Sequence, residues 1–578
     1  MQIYKVMIAF VLAACVAPVF AQVTIAGKHS QTTICNPLNL SYRFCLDSPS
    51  RREAADPTIV NFKNEYYLFA SKSGGYWHST DLANWQLIST ADLPLEDYAP
   101  AAFVMRDTLF FMASAGKPVI YKTADPQSGK WQVACPAFAI GMIDPAFLVD
   151  DDGRLYFYYG CSNINPIYGV ELDTVTFAPL GKPVALMNSN KKQYGWERKG
   201  DYNDGTDNPW IEGAWVNKQN GKYYLQYAGP GTEYKSYADA VYVSYSPLGP
   251  YQLAPNNPFS SKPEGFIAGA GHGSTFKDIY GNYWHIGTMT ISQKHMFERR
   301  LGLFPTFFDG DGALYTYTGF GDFPMRMPRQ KIKSPGDLFP GWMLLSYKKQ
   351  VQVSSESPGH EKSLLNDEDV RTFWSAQTGN KGEWARLDLG ADCSINAVQL
   401  NFAEHLAQAR GRNDSLYFAY LLEYSTDDKN WHTLADKTNS RDDLSHDYIE
   451  LEKAVKARYL RLVNHHTPSG NFALAGFRVF GKGGGKVPAE VTGLAVNRLS
   501  NDAAIVNLQW QKAPGATGYN IRYGTAPGKM YHVYQVLDTA ALTIRSLNQS
   551  ETYYFSIDAF NDAGVTTSKK VIVAHPVQ

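Results

Sequence analysis

Between residues 50 and 320 the chain repeats one unit five times: an apolar strand, a short polar turn, then a strand dense in aromatics. The turn-plus-strand pieces are NFKNEYYLFAS, MRDTLFFMASA, VDDDGRLYFYYG, NKQNGKYYLQYAG and KDIYGNYWHIG, with equivalent aromatics at Tyr66, Phe110, Tyr156, Tyr223 and Tyr283. A unit this short cannot bury its apolar face alone, so the copies must pack on one another. Repeats of about 45 to 65 residues suit four-stranded blades around a central channel. Elsewhere, short runs of Tyr, Phe, Val and Ile alternate with Gly, Asp and Asn turns, and little of the chain has helical period. The fold class is therefore all-β, led by a five-bladed β-propeller.

Counting back ten to twelve residues from each marker aromatic reaches the start of the unit's first strand, where Asp56, the pair Tyr98-Ala99, Asp144, Glu212 and His272 stand. First strands in a propeller line the axis, so these positions are brought to one mouth of the channel from different blades. A single Asp-Pro, as at Asp56 or Asp144, is ordinarily a turn or strand-start signal. Three carboxylates sharing a phase are another matter. They repel and lose hydration unless the cluster has a use.

Lys plus Arg (54) nearly balance Asp plus Glu (55), giving a formal net charge of -1, and no Lys/Arg run stands out. That disfavours nucleic acid as a partner. The opening MQIYKVMIAFVLAACVAPVFAQ reads as a signal peptide over residues 1–21, cleaved after Ala21. Leu12-Ala13-Ala14-Cys15 also fits a lipobox, which would anchor the chain through Cys15. Either way the protein is expected to be exported, periplasmic or extracellular, with no other stretch apolar enough to span a membrane. Without Cys15, the cysteines are Cys35, Cys45, Cys135, Cys161 and Cys393, in no zinc spacing. A Cys35–Cys45 bridge is expected in the polar N-terminal segment, and Cys393 as a buried free thiol.

ADPTIV at Asp56, STDLANW from Ser79 to Trp85, YAP at Tyr98, IDPAF at Asp144, EGAWVNKQNGKYYLQYAG from Glu212 and GHGS around His272 together resemble glycoside hydrolase family 43. The likeness covers about residues 50 to 345, within a catalytic unit placed at 22–345. Family members are five-bladed propellers that remove arabinose or xylose from plant polysaccharides. The resemblance implies that Asp56 is the general base, Glu212 the general acid and Asp144 the carboxylate that tunes and orients the acid. It departs at Ala214, where the family writes Pro after Glu-Gly. Inversion needs an acid on the leaving oxygen and a base on water across the ring. Glu212 is accordingly expected to have a raised pKa and Asp56 to stay ionised. By the same resemblance His272 supports the site, with water or a structural calcium ion beneath it in the channel, or else is a core histidine; no cofactor is required. Arg299, or its neighbour Arg300, is expected to contact sugar, and Trp77 and Tyr98 to stack on it. The polar insertion Lys191–Trp210 before Glu212 either walls the funnel, making the enzyme exo-acting, or is a surface decoration.

From residue 346 to 482, SLLNDEDVRTFWSAQTGNKGEWARLDLG, YLLEYSTDDKNWHTL and ARYLRLV resemble a discoidin-like β-sandwich (factor type C), related to carbohydrate-binding module family 32. Calcium is not expected there, because Gly476 replaces the late Glu ligand. The module reads equally as a sugar binder or as a rigid partner of the propeller. Gly483-Gly484-Gly485 reads as a flexible joint. The remainder of 483–578 resembles a fibronectin type III sandwich, with Trp510 in LQWQ and Tyr553 at the tyrosine-corner position, and is expected to be a spacer.

These readings converge on an exported, exo-acting, inverting hydrolase that releases terminal pentose from plant polysaccharide or oligosaccharide, foremost an α-L-arabinofuranosidase with β-D-xylosidase as the near alternative. The invertase-like propellers are set aside by the absence of a WMNDPNG-type motif. A carbohydrate-binding propeller without turnover is the rival from another class.

Overall fold

The computed structural model describes residues 31–576. The leader, with Ala21 and Cys15, lies outside the described residues. Five antiparallel sheets follow one another from Thr58 to Thr316, each with four consecutive strands in meander order; in the fourth, Ser260–Ser261 also pairs with the third strand, Ala238–Ser244. Their first strands are Thr58–Phe62, Ala101–Met105, Ala146–Val149, Glu212–Gln219 and Ala268–Lys277. Each first strand neighbours the next, and the last neighbours the first, so the ring closes as a five-bladed propeller.

The repeated aromatics explain why the ring holds. Strand alternation sends one side chain in two toward the neighbouring blade, and the apolar clusters fall between blades rather than within them. Phe103, Phe110, Phe147 and Phe157 join the second blade to the third, with Phe103 and Phe147 stacked at 4.3 Å. Tyr156, Tyr223, Leu225 and Tyr227 join the third to the fourth. Between the fifth blade and the first, the N-terminal segment contributes Ile34, Leu38, Leu40 and Tyr42 to a core with Tyr66, Trp77, Phe276 and Trp284. That segment also bonds the fifth blade: Leu38 N–H donates to Leu301 O (2.9 Å) and the Asn36 amide to Leu303 O (2.9 Å).

Two β-sandwich modules follow. One is a continuous eight-stranded sheet whose long strands Trp384–Phe402 and His446–His466 carry bulges that fold it around Trp374, Leu387, Val398, Leu460 and Phe477. The other packs a three-stranded against a five-stranded sheet around Trp510, Tyr519, Tyr553 and Phe555.

Two expectations are corrected here. Cys35 and Cys45 are separate free thiols, both buried. Cys35 Sγ donates to Asp322 O (3.3 Å) beside Arg478, whereas Cys45 Sγ points to Glu53 Oε2 (3.7 Å), so their side chains serve different layers. Nor is Gly483–Gly485 a free joint. Gly483 N–H donates to Asp562 O (2.8 Å), and the last module is docked on the propeller by Tyr531, whose ring stacks on Tyr315 at 3.8 Å while its hydroxyl donates to Asp309 (2.8 Å).

Candidate active site

One backbone feature repeats in every blade. Asp56, Ala99, Asp144, Gly213 and His272 all have left-handed backbone, with φ of 52°, 47°, 57°, 63° and 38°. Four of these are not glycine and carry strain of about 1–3 kcal/mol each, which persists only where the surroundings impose it. The imposition is visible. Asp56 N–H donates to Thr288 Oγ1, Ala99 N–H to Ser71 Oγ and Asp144 N–H to Ser114 Oγ, each at 2.9 Å and each across a blade boundary. In the fifth blade buried Asp239 accepts the amides of His272 (2.8 Å) and Gly273 (3.0 Å). Glu212 stands one residue before the left-handed position, the place that Tyr98 holds in the second blade.

This turn delivers the side chains to one mouth. His272 Nδ1 lies 3.3 Å from Asp56 Oδ1 and 3.7 Å from Asp144 Oδ2. Oxygens of Asp144 and Glu212 and the sulfur of Cys161 lie within 4.8 Å of one another. Gly213 N–H donates to Asp144 Oδ2 (3.3 Å), tying the two blades. Arg299 Nη1 sits 3.2 Å from Asp56 Oδ1, and its Nη2 is 2.7 Å from buried Glu53.

The charges are distributed unevenly. Burial alone would raise the Asp56 carboxyl, but Arg299, His272 and the Ser71 hydroxyl (2.6 Å) hold it below the usual carboxylate range. Asp144 has no arginine. Burial, reinforced by the charges of Glu212 and Asp56 against the pull of His272, pushes it up to about 7. Burial disfavours the His272 cation, yet the surrounding Asp56, Asp144 and Glu212 raise its pKa overall. The upward shift at Asp144 arises because that carboxyl is buried beside two other carboxylates with only one cationic neighbour.

Arg299, rather than Arg300, reaches this mouth; Arg300 turns away to His446 Nε2 (2.8 Å) and Arg52 O (2.7 Å). Tyr98 is half-buried, packed on Phe297 with the Arg299 guanidinium 5.7 Å from its ring centre. Trp77 is not at the site. It is 1% exposed in the core between the fifth and first blades, with its indole N–H on Ser41 Oγ (3.4 Å). Its strand, Tyr76–Ser79, is third in its blade and faces that core rather than the channel.

Several contributors were not singled out from the sequence. Cys161 Sγ donates to Glu212 Oε2 (3.2 Å), and the Tyr237 hydroxyl donates to the other oxygen, Oε1. Thr232 accepts from Arg299 (3.2 Å). Ser71, Ser114, Cys161 and Thr288 follow the marker aromatics by four or five residues, a second repeat phase available to inspection. Tyr237 and Thr232 lie outside any repeat and had no such signal.

The Asp144, Cys161 and Glu212 donor set does not by itself suit calcium. The one group among the described residues with metal-ligand spacing is Asp144, Cys161 and Glu212. It includes a thiol whose pKa burial raises, whereas calcium takes six to eight oxygens. In the eight-stranded module, Glu368 of the acidic stretch Asn366-Asp367-Glu368-Asp369 is committed to Arg478 (2.9 Å), and Gly476 stands against the Phe266 ring.

Residues 50–314 match the family model described as glycosyl hydrolases family 43, and residues 350–476 match the F5/8 type C domain. A xylan 1,3-beta-xylosidase of Vibrio sp. is 26% identical over 283 residues, 44% of this chain and 49% of that protein. A non-reducing end alpha-L-arabinofuranosidase of Bacteroides ovatus is 26% identical over 290 residues, 44% of this chain and 50% of that protein. The chain spans about half the length of these curated relatives. A solved glycoside hydrolase aligns with 19% identity and a TM-score of 0.46 over 76% of this chain and all of that one. By the two family models, residues 50–314 are similar to glycosyl hydrolases family 43 and residues 350–476 to the F5/8 type C domain.

Proposed function

From the likeness to family 43 and the charges gathered at the propeller's mouth, we propose that the protein is a glycoside hydrolase that releases terminal pentose from plant polysaccharide or oligosaccharide with inversion. Asp56 is the general base: paired with Arg299 and kept ionised, it takes a proton from water as that water's oxygen bonds to the anomeric carbon. Glu212 is the general acid: it gives a proton to the glycosidic oxygen as the carbon–oxygen bond breaks. Asp144 tunes the acid by keeping a proton in the cluster until about pH 7, and Cys161 and Tyr237 fix the plane of the Glu212 carboxyl. His272 bridges base and modulator. Tyr98 offers a ring face to sugar.

The observation that carries this reading is the division of charge. One buried carboxyl is pinned ionised by an arginine, while another, beside the acid, keeps its proton near neutrality. That is the asymmetry that acid–base chemistry between two carboxylates requires. A merely sugar-binding propeller has no use for it.

α-L-Arabinofuranosidase and β-D-xylosidase remain two forms of the proposal, since the relatives bear both names. The Lys191–Trp210 segment as a wall makes the enzyme exo-acting. Export follows from the leader reading. The third module is read as fibronectin type III-like, supported by Tyr553, whose hydroxyl accepts the Asn548 amide five residues upstream (3.1 Å).

Nitrophenyl arabinofuranoside and xyloside distinguish the two sugars, and NMR of the first product anomer tests inversion. Glu212→Gln should lose about 10² to 10⁴-fold in kcat on a substrate with a poor leaving group, and Asp56→Asn a similar factor on any substrate while still binding sugar. Wild-type turnover in either variant rejects the assignment.

A further inference from the structure

The insertion before Glu212 is held by both C-terminal modules. Its root is locked to the fourth blade: Trp196 is buried against Tyr227, and buried Glu197 accepts the Tyr227 hydroxyl (2.7 Å). Its outer side lies on the last module. Gly195 N–H donates to Leu547 O (3.0 Å), Gln549 N–H to Gln193 O (2.9 Å), and Arg198 grips Asp502 with both guanidinium nitrogens (2.6 and 3.1 Å). Its tip meets the F5/8 type C module, where Arg371 reaches Asp201 Oδ2 (2.7 Å) and Glu233 O (3.0 Å).

From that tip a chain of bonds runs to Glu212. Asp201 Oδ1 accepts the Lys235 amide (2.8 Å), Gly200 O accepts the Ser236 hydroxyl (2.8 Å), and the next residue, Tyr237, donates to Glu212. On the other side the insertion ends at Ile211, whose amide and carbonyl both pair with Ser162 (3.0 Å each), next to Cys161 and directly before Glu212. Every donor on the Glu212 carboxyl therefore belongs to a segment that this clamp borders.

We propose that the two C-terminal modules are part of the active-site scaffold, and that Asp502 and Arg371 are positioning residues that hold Glu212 through the 191–210 insertion. The proposal rests on the reading of Glu212 as the acid. It differs from a targeting role, because a module that only delivers the enzyme to polymer leaves the hydrolysis of a small soluble glycoside untouched.

The test uses the full chain carrying Asp502→Ala, Arg371→Ala, Arg198→Asp, or the reversed pair Arg198→Asp/Asp502→Arg, with kcat and KM measured on the nitrophenyl pentoside that the wild type cleaves. Displacing a catalytic group by about 1 Å costs on the order of 10²-fold, so each single variant should lose about 10-fold or more in kcat with its cooperative melt intact. The reversed pair should regain most of the loss relative to Arg198→Asp. Single variants within about two-fold of wild type in kcat, or losses confined to polymer substrates, overturn the proposal. If the wild type cleaves no pentoside, the functional reading fails on its own, and hydrogen exchange still decides: faster exchange in 191–210 and 230–237 in the single variants supports the clamp, and unchanged exchange there overturns it.

Discussion

At Asp144, burial and charge act together against ionisation. Its pKa of about 7 in the folded chain lies well above the ordinary value of 3.8. The folded state thus binds a proton that the unfolded state has released between those values. Stability linked to this group is fully present below pH 3.8 and is lost as pH rises through 7. Asp56 has the opposite sign: its lowered pKa adds stability above the ordinary carboxylate range, which is lost as pH falls through its folded value. Asp144→Asn should therefore raise the melting temperature relative to wild type at pH 8 but not at pH 3.5, as calorimetry at the two pH values would show. The same change should lower kcat and remove or displace the alkaline limb near pH 7 from the rate profile, since the cluster can no longer keep its extra proton. The identity of Asp144 was legible from its phase in the repeat. Its proton was not, because that depends on which blade supplies an arginine, and Arg299 reaches Asp56 instead.

The element that matters most is the left-handed turn at the head of each blade's first strand. Proline follows it in the first three blades, at Pro57, Pro100 and Pro145, and Ala214 takes that place in the fourth. The fourth blade keeps the turn with glycine instead: Gly213 has φ of 63°, and a side-chain carbon there would lie 2.6 Å from the His272 ring. Gly213→Ala should consequently push His272 off Asp56 and Asp144. We expect a fall in kcat of about 10²-fold, the scale set by a 1 Å misplacement, with near-native circular dichroism. An activity within a few-fold of wild type would show that the ring can yield. Sequence spacing found this element by its period. Ala214, standing where the first three blades have proline, already puts Glu212 one residue out of phase with Asp56 and Asp144, whereas the register shift between Glu212 and Trp215 is visible only in the pairing with the next strand.

On the scale of the whole molecule, the propeller segment and the F5/8 type C module meet around buried Arg478. Its guanidinium binds Glu368 (2.9 Å) within its own module, Asp322 O (2.6 Å) at the end of the propeller segment, and Gln399 (3.0 Å). Removing one partner of a buried pair costs about 3–5 kcal/mol, because the other charge is left unpaired. Arg478→Ala should destabilise by about that amount in denaturant titration, and Arg478→Met/Glu368→Leu by much less than the sum of the single changes. Additive losses would mean that Arg478 acts only by packing. What the sequence determined by itself was the architecture and the cast: five blades from a repeated aromatic strand, two sandwiches, and Asp56, Asp144, Glu212 and His272 at the channel mouth. Periodicity along the chain is a local property, so it can be read residue by residue. Only the tertiary structure decided that Trp77 is core, that Arg299 rather than Arg300 serves the site, that Cys161 and Tyr237 hold Glu212, and that the last module braces the insertion. Each of these depends on which surfaces meet across tens or hundreds of residues, and no spacing along the chain encodes that.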